Sequence, residues 1–199
     1  MCVKILDRLS PLLGSRIHRV LLLFPTLINI GATPSGLKQG TSVCSRMISS
    51  GLAGLVSCLP SSVRHWGIKS NEGPDLPQKS VESTDRFLSS NSVSNAIFLF
   101  KHEAEEIKEL DTQVLRAHAD KLVLYFGTTD GWAPLSHRDE IMEKVPECRV
   151  LTDQNETPHA FSLRHSDYVA DVCWKEIVAV FENTVPGPEE VPEGNRYCL

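Results

Sequence analysis

The sequence predicts an α/β protein: about three parallel strands, flanking helices and a long cap insertion. Three short apolar runs carry the strand prediction. Residues 20–24 (VLLLF), 122–126 (LVLYF) and 148–151 (CRVL) are each bounded by polar or turn residues, as strands buried on both faces are. Segments with apolar residues at helical spacing lie between and after them, and strands that alternate with helices imply parallel pairing. With 199 residues, 41% hydrophobic and 23% charged, the chain is long enough to bury a core.

The elements follow in order. Val3, Ile5, Leu6 and Leu9 recur at helical spacing, and Pro11 is expected to cut that helix off. The first strand comes next. From residue 25 to about 95, some 70 residues, no strand is legible, and part of this stretch (SNEGPDLPQKSVESTD) is rich in Ser, Gly and Pro. A connection that long inside a compact domain is usually a lid or functional insertion. A helix is expected from Ala96 to about Leu115, with Ser94 as its cap and EAEEIKEL on its polar face. After the second strand, residues 136–145 form a shorter helix ended by Pro146. The last helix runs from residue 163 to about 182, with Val169, Val172, Cys173, Ile177, Val180 and Phe181 on one face. The chain thus divides into a helix and strand (1–24), a cap insertion (25–95), a C-terminal core part (96–182) and a tail (183–199). The tail is acidic and proline-rich and is read as disordered.

Composition excludes several classes. The net charge is −5 with no basic block, so no nucleic-acid partner is expected. Six cysteines, Cys2, Cys44, Cys58, Cys148, Cys173 and Cys198, form no C-x-x-C pair; they read as reduced thiols in a cytosolic setting. The first residues, MCVKILDRLSPLLGSR, lack the continuous apolar core of a signal peptide. The longest uncharged run, residues 47–63, holds 17 residues broken by serines, glycines and a proline, where a bilayer span needs roughly 20 predominantly apolar ones. The terminal RYCL is no prenylation box. His102-Glu103 begins like H-E-x-x-H, but residue 106 is Glu, which excludes that zinc motif. His18, His65, His118, His137 and His165 show no ligand spacing, and no metal or other cofactor is expected.

Two residues stand out for chemistry. Asp130 follows the second strand, and His159, in NETPHAF, follows the third. Open α/β sheets place their chemistry outside the carboxyl ends of the strands. In a hydrolase of this class the acid and the base lie there in the order nucleophile, acid, histidine. The histidine takes the nucleophile's proton while the carboxylate fixes its tautomer and stabilises the imidazolium. Asp-Gly is also a common turn dipeptide, and the residues alone leave both readings open. Trp132 is equally open to pocket lining or core packing. A G-x-S-x-G nucleophile motif is absent from the sequence: Ser35, in ATPSG, lacks the first Gly, and Ser49 has Met47 where that Gly would stand.

The segments VLLLFPT (20–26), NAIFLFKHEAEEIKELD (95–111), KLVLYFGTTDGWAP (121–134) and TPHAF (157–161) together resemble the C-terminal part of the lipid droplet-associated hydrolases, members of the α/β-hydrolase superfamily. The resemblance covers most of residues 3–182 and fits less well over 60–93. It implies a partial α/β-hydrolase fold with Asp130 as triad acid and His159 as triad base. It places the nucleophile elbow and the oxyanion loop before Met1, so the first helix is the one that follows the elbow. A truncated product, or a gene model begun at an internal Met, is the expectation. Loss of a triad serine costs about 10⁶ in kcat, so no meaningful hydrolase activity is expected from this chain alone. With the upstream neighbour of strand 20–24 missing, an open apolar edge and poor solubility are expected.

The resemblance also implies a lipid ester substrate, a lipid droplet monolayer as partner, and a location at droplets and the endoplasmic reticulum, otherwise the cytosol. Residues 41–63 have two readings. They form a lid helix pair over an apolar pocket, or an uncharged surface segment, with Leu52, Leu55 and Leu59 against lipid and Arg46 and Arg64 flanking it. Two functions therefore stand: part of a serine lipid hydrolase concerned with lipid storage, or a non-catalytic droplet-surface or interaction protein.

Overall fold

The computed structural model describes residues 2–40 and 43–182. Three strands form one sheet among them: β1 (Val20–Leu23), β2 (Leu122–Phe126) and β3 (Arg149–Thr152), in the order β1-β2-β3. Both pairings are parallel. Val20 stands opposite Leu122 on one side of β2, and Val123 opposite Arg149 on the other. The three strands fall on the three apolar runs, shorter by one residue at Phe24 and shifted by one at Cys148. The expected α/β class is what the chain adopts.

Every residue of β2 is buried, which explains why its run shows no polar alternation. Leu122, Leu124 and Phe126 share one face with Val3 and Leu6 of α1 (Cys2–Leu13), and with Leu22, Leu115, Ile141 and Val145. Burying each such side chain contributes roughly 1.5–3 kcal/mol. The opposite face carries Val123 and Tyr125, both buried too.

Between the first two strands lie α2 (Pro34–Gly40), α3 (Val43–Ser57), α4 (Ser61–Glu72), α5 (Gln78–Phe87), α6 (Ser90–Glu106) and α7 (Thr112–Ala117). No strand interrupts them among the described residues. Ile68, Leu76 and Val81 build a second small core here, with Leu88 and Leu163 packed against it. Arg64 of α4 fastens the insertion. Its Nε and Nη2 donate to the two oxygens of Asp85 at 2.5 and 2.9 Å, while Nη1 donates to the main-chain oxygens of Ser57 and Leu59. This pairing holds the Asp85 carboxyl below its usual range against the opposing effect of burial. Gly73 closes α4 at φ +107, a conformation that side chains with a Cβ disfavour.

After β2 comes α8 (Leu135–Lys144), and after β3 a loop and a short 3₁₀ turn, Phe161–Leu163. α9 (Ser166–Glu182) belongs to a second compact unit that begins at Asp167. The tail expected to be disordered lies outside the described residues.

Several boundaries correct the sequence reading. α1 runs through Pro11 to Leu13. Pro11 sits in the last turn, so its missing N–H forfeits a single bond and the helix ends two residues later. The single helix expected over 96–115 is two. α6 begins six residues earlier, capped not by Ser94 but by Ser89, whose Oγ accepts from Ser92 N at 3.1 Å. It ends where Ile107 turns extended, at φ −93 and ψ 92. Asp111 then caps α7 by accepting from Val114 N at 3.2 Å. The last helix starts at Ser166, three residues after the expected 163, because the 3₁₀ turn intervenes.

Candidate functional site

Two loops leave the carboxyl ends of neighbouring strands and meet. Nδ1 of His159 lies 2.7 Å from Oδ2 of Asp130. The Asp130 side chain is fully buried and that of His159 is 40% exposed, so the carboxylate sits at the base of the pair and the imidazole faces outward. The other carboxylate oxygen, Oδ1, accepts from Trp132 N at 2.7 Å. Asp130 is therefore a turn residue and the partner of the imidazole at once. A histidine whose Nδ1–H is held by a buried carboxylate carries its lone pair on Nε2, the tautomer a general base needs.

Aromatic rings frame the imidazole. Phe24 stands 6.1 Å from it edge-on, and Trp132 stands 6.2 Å away, tilted. Phe100 of α6 meets Trp132 at 5.4 Å, which brings that helix to the rim of the site. Phe24 itself is stacked on Phe161 at 5.3 Å and set against Tyr125 at 5.5 Å. Its φ is +50, uncommon for a bulky residue and costing on the order of 1–3 kcal/mol. Close behind it, a Cβ on Gly127 would stand 2.7 Å from Phe24 Cε1 and 3.0 Å from Thr157 O. Gly127 is glycine because two elements already fill its side-chain space.

Sequence reasoning missed one charged group at this rim. Asp153, directly after β3, is buried and accepts four hydrogen bonds. Tyr125 Oη and Thr157 Oγ1 donate to Oδ1 at 2.5 and 3.1 Å; Thr157 N and Asn155 N donate to Oδ2 at 2.7 and 3.0 Å. Burial pushes this carboxyl's pKa up, but the four donors outweigh it and hold the group below its usual range. The only sequence signal was an Asp at a strand end two residues before an Asn, an ordinary turn pattern.

Ser35, rejected on motif grounds, lies close by. Its N–H donates to Gly131 O at 2.9 Å, and its Oγ fills the space beside Gly131. Among the described residues no hydroxyl or thiol is hydrogen-bonded to Nε2 of His159. Leu52, Leu55 and Leu59 are away from the core and exposed by 56, 69 and 43%. Val63 and Trp66 are exposed beyond them, and Leu59, Val63 and Trp66 share with Val56 and Leu88 a groove of about 470 Å³. Arg64 is engaged by Asp85, as described. His102 contacts Phe98 edge-on at 4.7 Å, and among the described residues no group of three or more metal-ligating side chains comes together. No helix among them is long and apolar enough to cross a membrane.

A parallel sheet with a carboxylate–imidazole pair at its carboxyl rim is the arrangement of an α/β hydrolase. The comparison with known proteins narrows this. A family model for lipid-droplet associated hydrolases matches residues 1–162, and the chain belongs to that family. Relatives named lipid droplet-associated hydrolase are 24% identical over 174 residues in Gallus gallus, 28% over 160 residues in Dictyostelium discoideum and 25% over 155 residues in Homo sapiens. These alignments cover 85, 74 and 77% of this chain and 53, 50 and 48% of the relatives. The chain thus spans about half the length of these relatives. No solved structure matches it significantly.

Proposed function

We propose that this chain carries the acid and base of a serine hydrolase that cleaves acyl esters of lipids at droplet surfaces, in the service of sterol or triglyceride storage. The observation that carries the reading is the 2.7 Å contact between His159 Nδ1 and the buried Asp130 carboxylate. In this mechanism His159 takes the proton of a serine hydroxyl as that oxygen attacks the ester carbonyl. It then returns the proton to the leaving alcohol, and repeats both steps with water to release the acid. Asp130 orients the ring and stabilises the imidazolium. Trp132 and Phe100 form an apolar wall suited to an acyl chain. The serine is supplied by a segment outside these 199 residues, because no G-x-S-x-G occurs within them. The family name and the share of the relatives that the chain spans, about half, support this division.

Expressing the chain with its upstream coding segment and assaying emulsified triglyceride and sterol esters tests the proposal. His159→Ala and Asp130→Asn are each expected to lower kcat by about 10⁴ or more. Full activity in either variant would refute the assignment.

A second reading, a droplet-surface protein with no catalytic step, is favoured by the exposed Leu52, Leu55, Leu59, Val63 and Trp66. Clusters of exposed apolar side chains mark surfaces that meet lipid or protein. The same extended protein distinguishes the two: droplet binding without ester cleavage supports the second.

A further inference from the structure

We propose that Asp153 is a positioning residue for His159: its carboxylate anchors the loop that presents the imidazole to Asp130. The inference rests on the acid–base reading above and deepens it.

The loop is short and tightly specified. Asp153 is tied to β2 through its own N–H, which donates to Phe126 O at 2.7 Å. Its carboxylate then gathers the amides of Asn155 and Thr157 and the Thr157 hydroxyl. Between those two amides Glu156 stands at φ +52, a left-handed conformation that a non-glycine residue disfavours. Charge-assisted bonds to a buried carboxylate are about twice as strong as neutral ones and offset that strain. Thr157 is wholly buried, and Pro158 follows. The proline fixes its own φ and confines Thr157 to extended backbone. From the carboxylate to His159 the chain therefore has little conformational freedom left.

The anchor also reaches His159 from beneath. Tyr125 donates its hydroxyl to Asp153, and its ring meets Phe24, which in turn faces the imidazole. One buried charge thus fixes the loop by its amides and the ring's apolar support through Tyr125. Mere stabilisation does not require these contacts to converge on His159. A hydrolase base must be held to within a fraction of an ångström of its acid, and this arrangement supplies that restraint.

The test reads the His159 ring directly and requires no activity. In the 199-residue protein with ¹⁵N-labelled histidine, the Nδ1 proton held by Asp130 gives a downfield resonance, assigned by its loss in Asp130→Asn and His159→Gln. Asp153→Asn keeps the shape of the side chain and removes its charge. Tyr125→Phe keeps the ring and removes one donor. Both are expected to broaden that resonance and to speed its exchange with water about tenfold or more, while the signals of His18 and His102 stay in place. Tyr125→Phe decides the matter if Asp153→Asn does not fold. An unchanged line and exchange rate in these variants, with only the melting temperature lowered, would make Asp153 a structural anchor and overturn the proposal. Absence of any Asp130-dependent resonance in the unmodified protein would overturn the acid–base reading itself, and the positioning role with it.

Discussion

The hydroxyl of Ser80 donates to the main-chain oxygen of Leu163 at 2.7 Å, joining α5 of the helical insertion to the turn four residues beyond His159. Leu163 also packs on the Ile68, Leu76 and Val81 core. Next to it, Arg164 Nη1 donates to Asp75 Oδ2 at 2.6 Å, and Nη2 donates to Glu72 O. α4, α5 and the turn that follows His159 therefore share a core.

This core is predicted to outweigh the ion pair. Leu76→Ala deletes a buried side chain and is expected to cost about 2–5 kcal/mol. Arg164→Ala removes a pair whose acid, Asp75, is mostly exposed; such pairs contribute about 0–1 kcal/mol, to which the Glu72 bond adds little. Urea unfolding monitored by tryptophan fluorescence measures both. A larger loss for Arg164→Ala than for Leu76→Ala would reverse the ranking.

Gly127→Ala should disturb the site from behind. The new methyl would meet the Phe24 ring and the Thr157 main-chain oxygen, and Phe24 is held by Tyr125 and Phe161. Overpacking of this kind costs about 1–3 kcal/mol. The downfield His159 resonance should shift with the loss of stability. A variant that melts like the parent and keeps that resonance would show slack that the packing does not suggest.

How much of this was legible in the sequence follows from what periodicity can report. The run LVLYF announces a strand buried on both faces, and the strand ends it and its neighbour define put Asp130 and His159 on adjacent loops. The break between α6 and α7 is hidden because EAEEIKEL continues a helical pattern through Ile107, the residue that leaves it. Asp153, Tyr125 and Phe24 are hidden for another reason. Their roles arise from contacts between loops, and a chain read linearly shows an Asp, a Tyr within a strand and a Phe before a Pro.

Fluorophosphonate labelling checks the proposal that the nucleophile lies outside this chain. The 199-residue chain is expected to show no single labelled serine. None of its described hydroxyls is bonded to Nε2 of His159, and Ser35 is engaged at Gly131 through its backbone. Stoichiometric labelling at Ser35 would move the nucleophile into this chain.

Lipid binding separates the exposed leucines from the core. The triple variant Leu52→Asp, Leu55→Asp, Leu59→Asp places charges at exposed positions and should leave the melting temperature within a few degrees. Its binding to triolein emulsions coated with phospholipid should fall about tenfold or more, since each Leu-to-Asp change replaces apolar contact with a solvated charge. Undiminished binding would remove α3 and the turn after it from the lipid surface.

Stability should fall in two steps as pH is lowered. The His137 Nδ1 is buried with no hydrogen-bond partner among the described residues. Burial lowers the pKa of its imidazole against the opposing charge of Glu140. The folded-state value therefore lies below the unfolded value of about 6.5, so the unfolded chain takes up the proton first. The contribution of His137 is complete above that value and is lost as pH falls through the folded one. Asp153 behaves alike at lower pH: its folded-state pKa is depressed, so its contribution is complete above the usual carboxylate range of about 4 and fades as acid protonates it. Melting temperature against pH should show a first decline below about 6.5 that His137→Gln flattens. A second decline, below about 4, should persist in that variant and become shallower in Asp153→Asn, the remainder coming from Asp85, which Arg64 holds below its usual range. If His137→Gln leaves the first decline untouched, the imidazole is not the group that sets it.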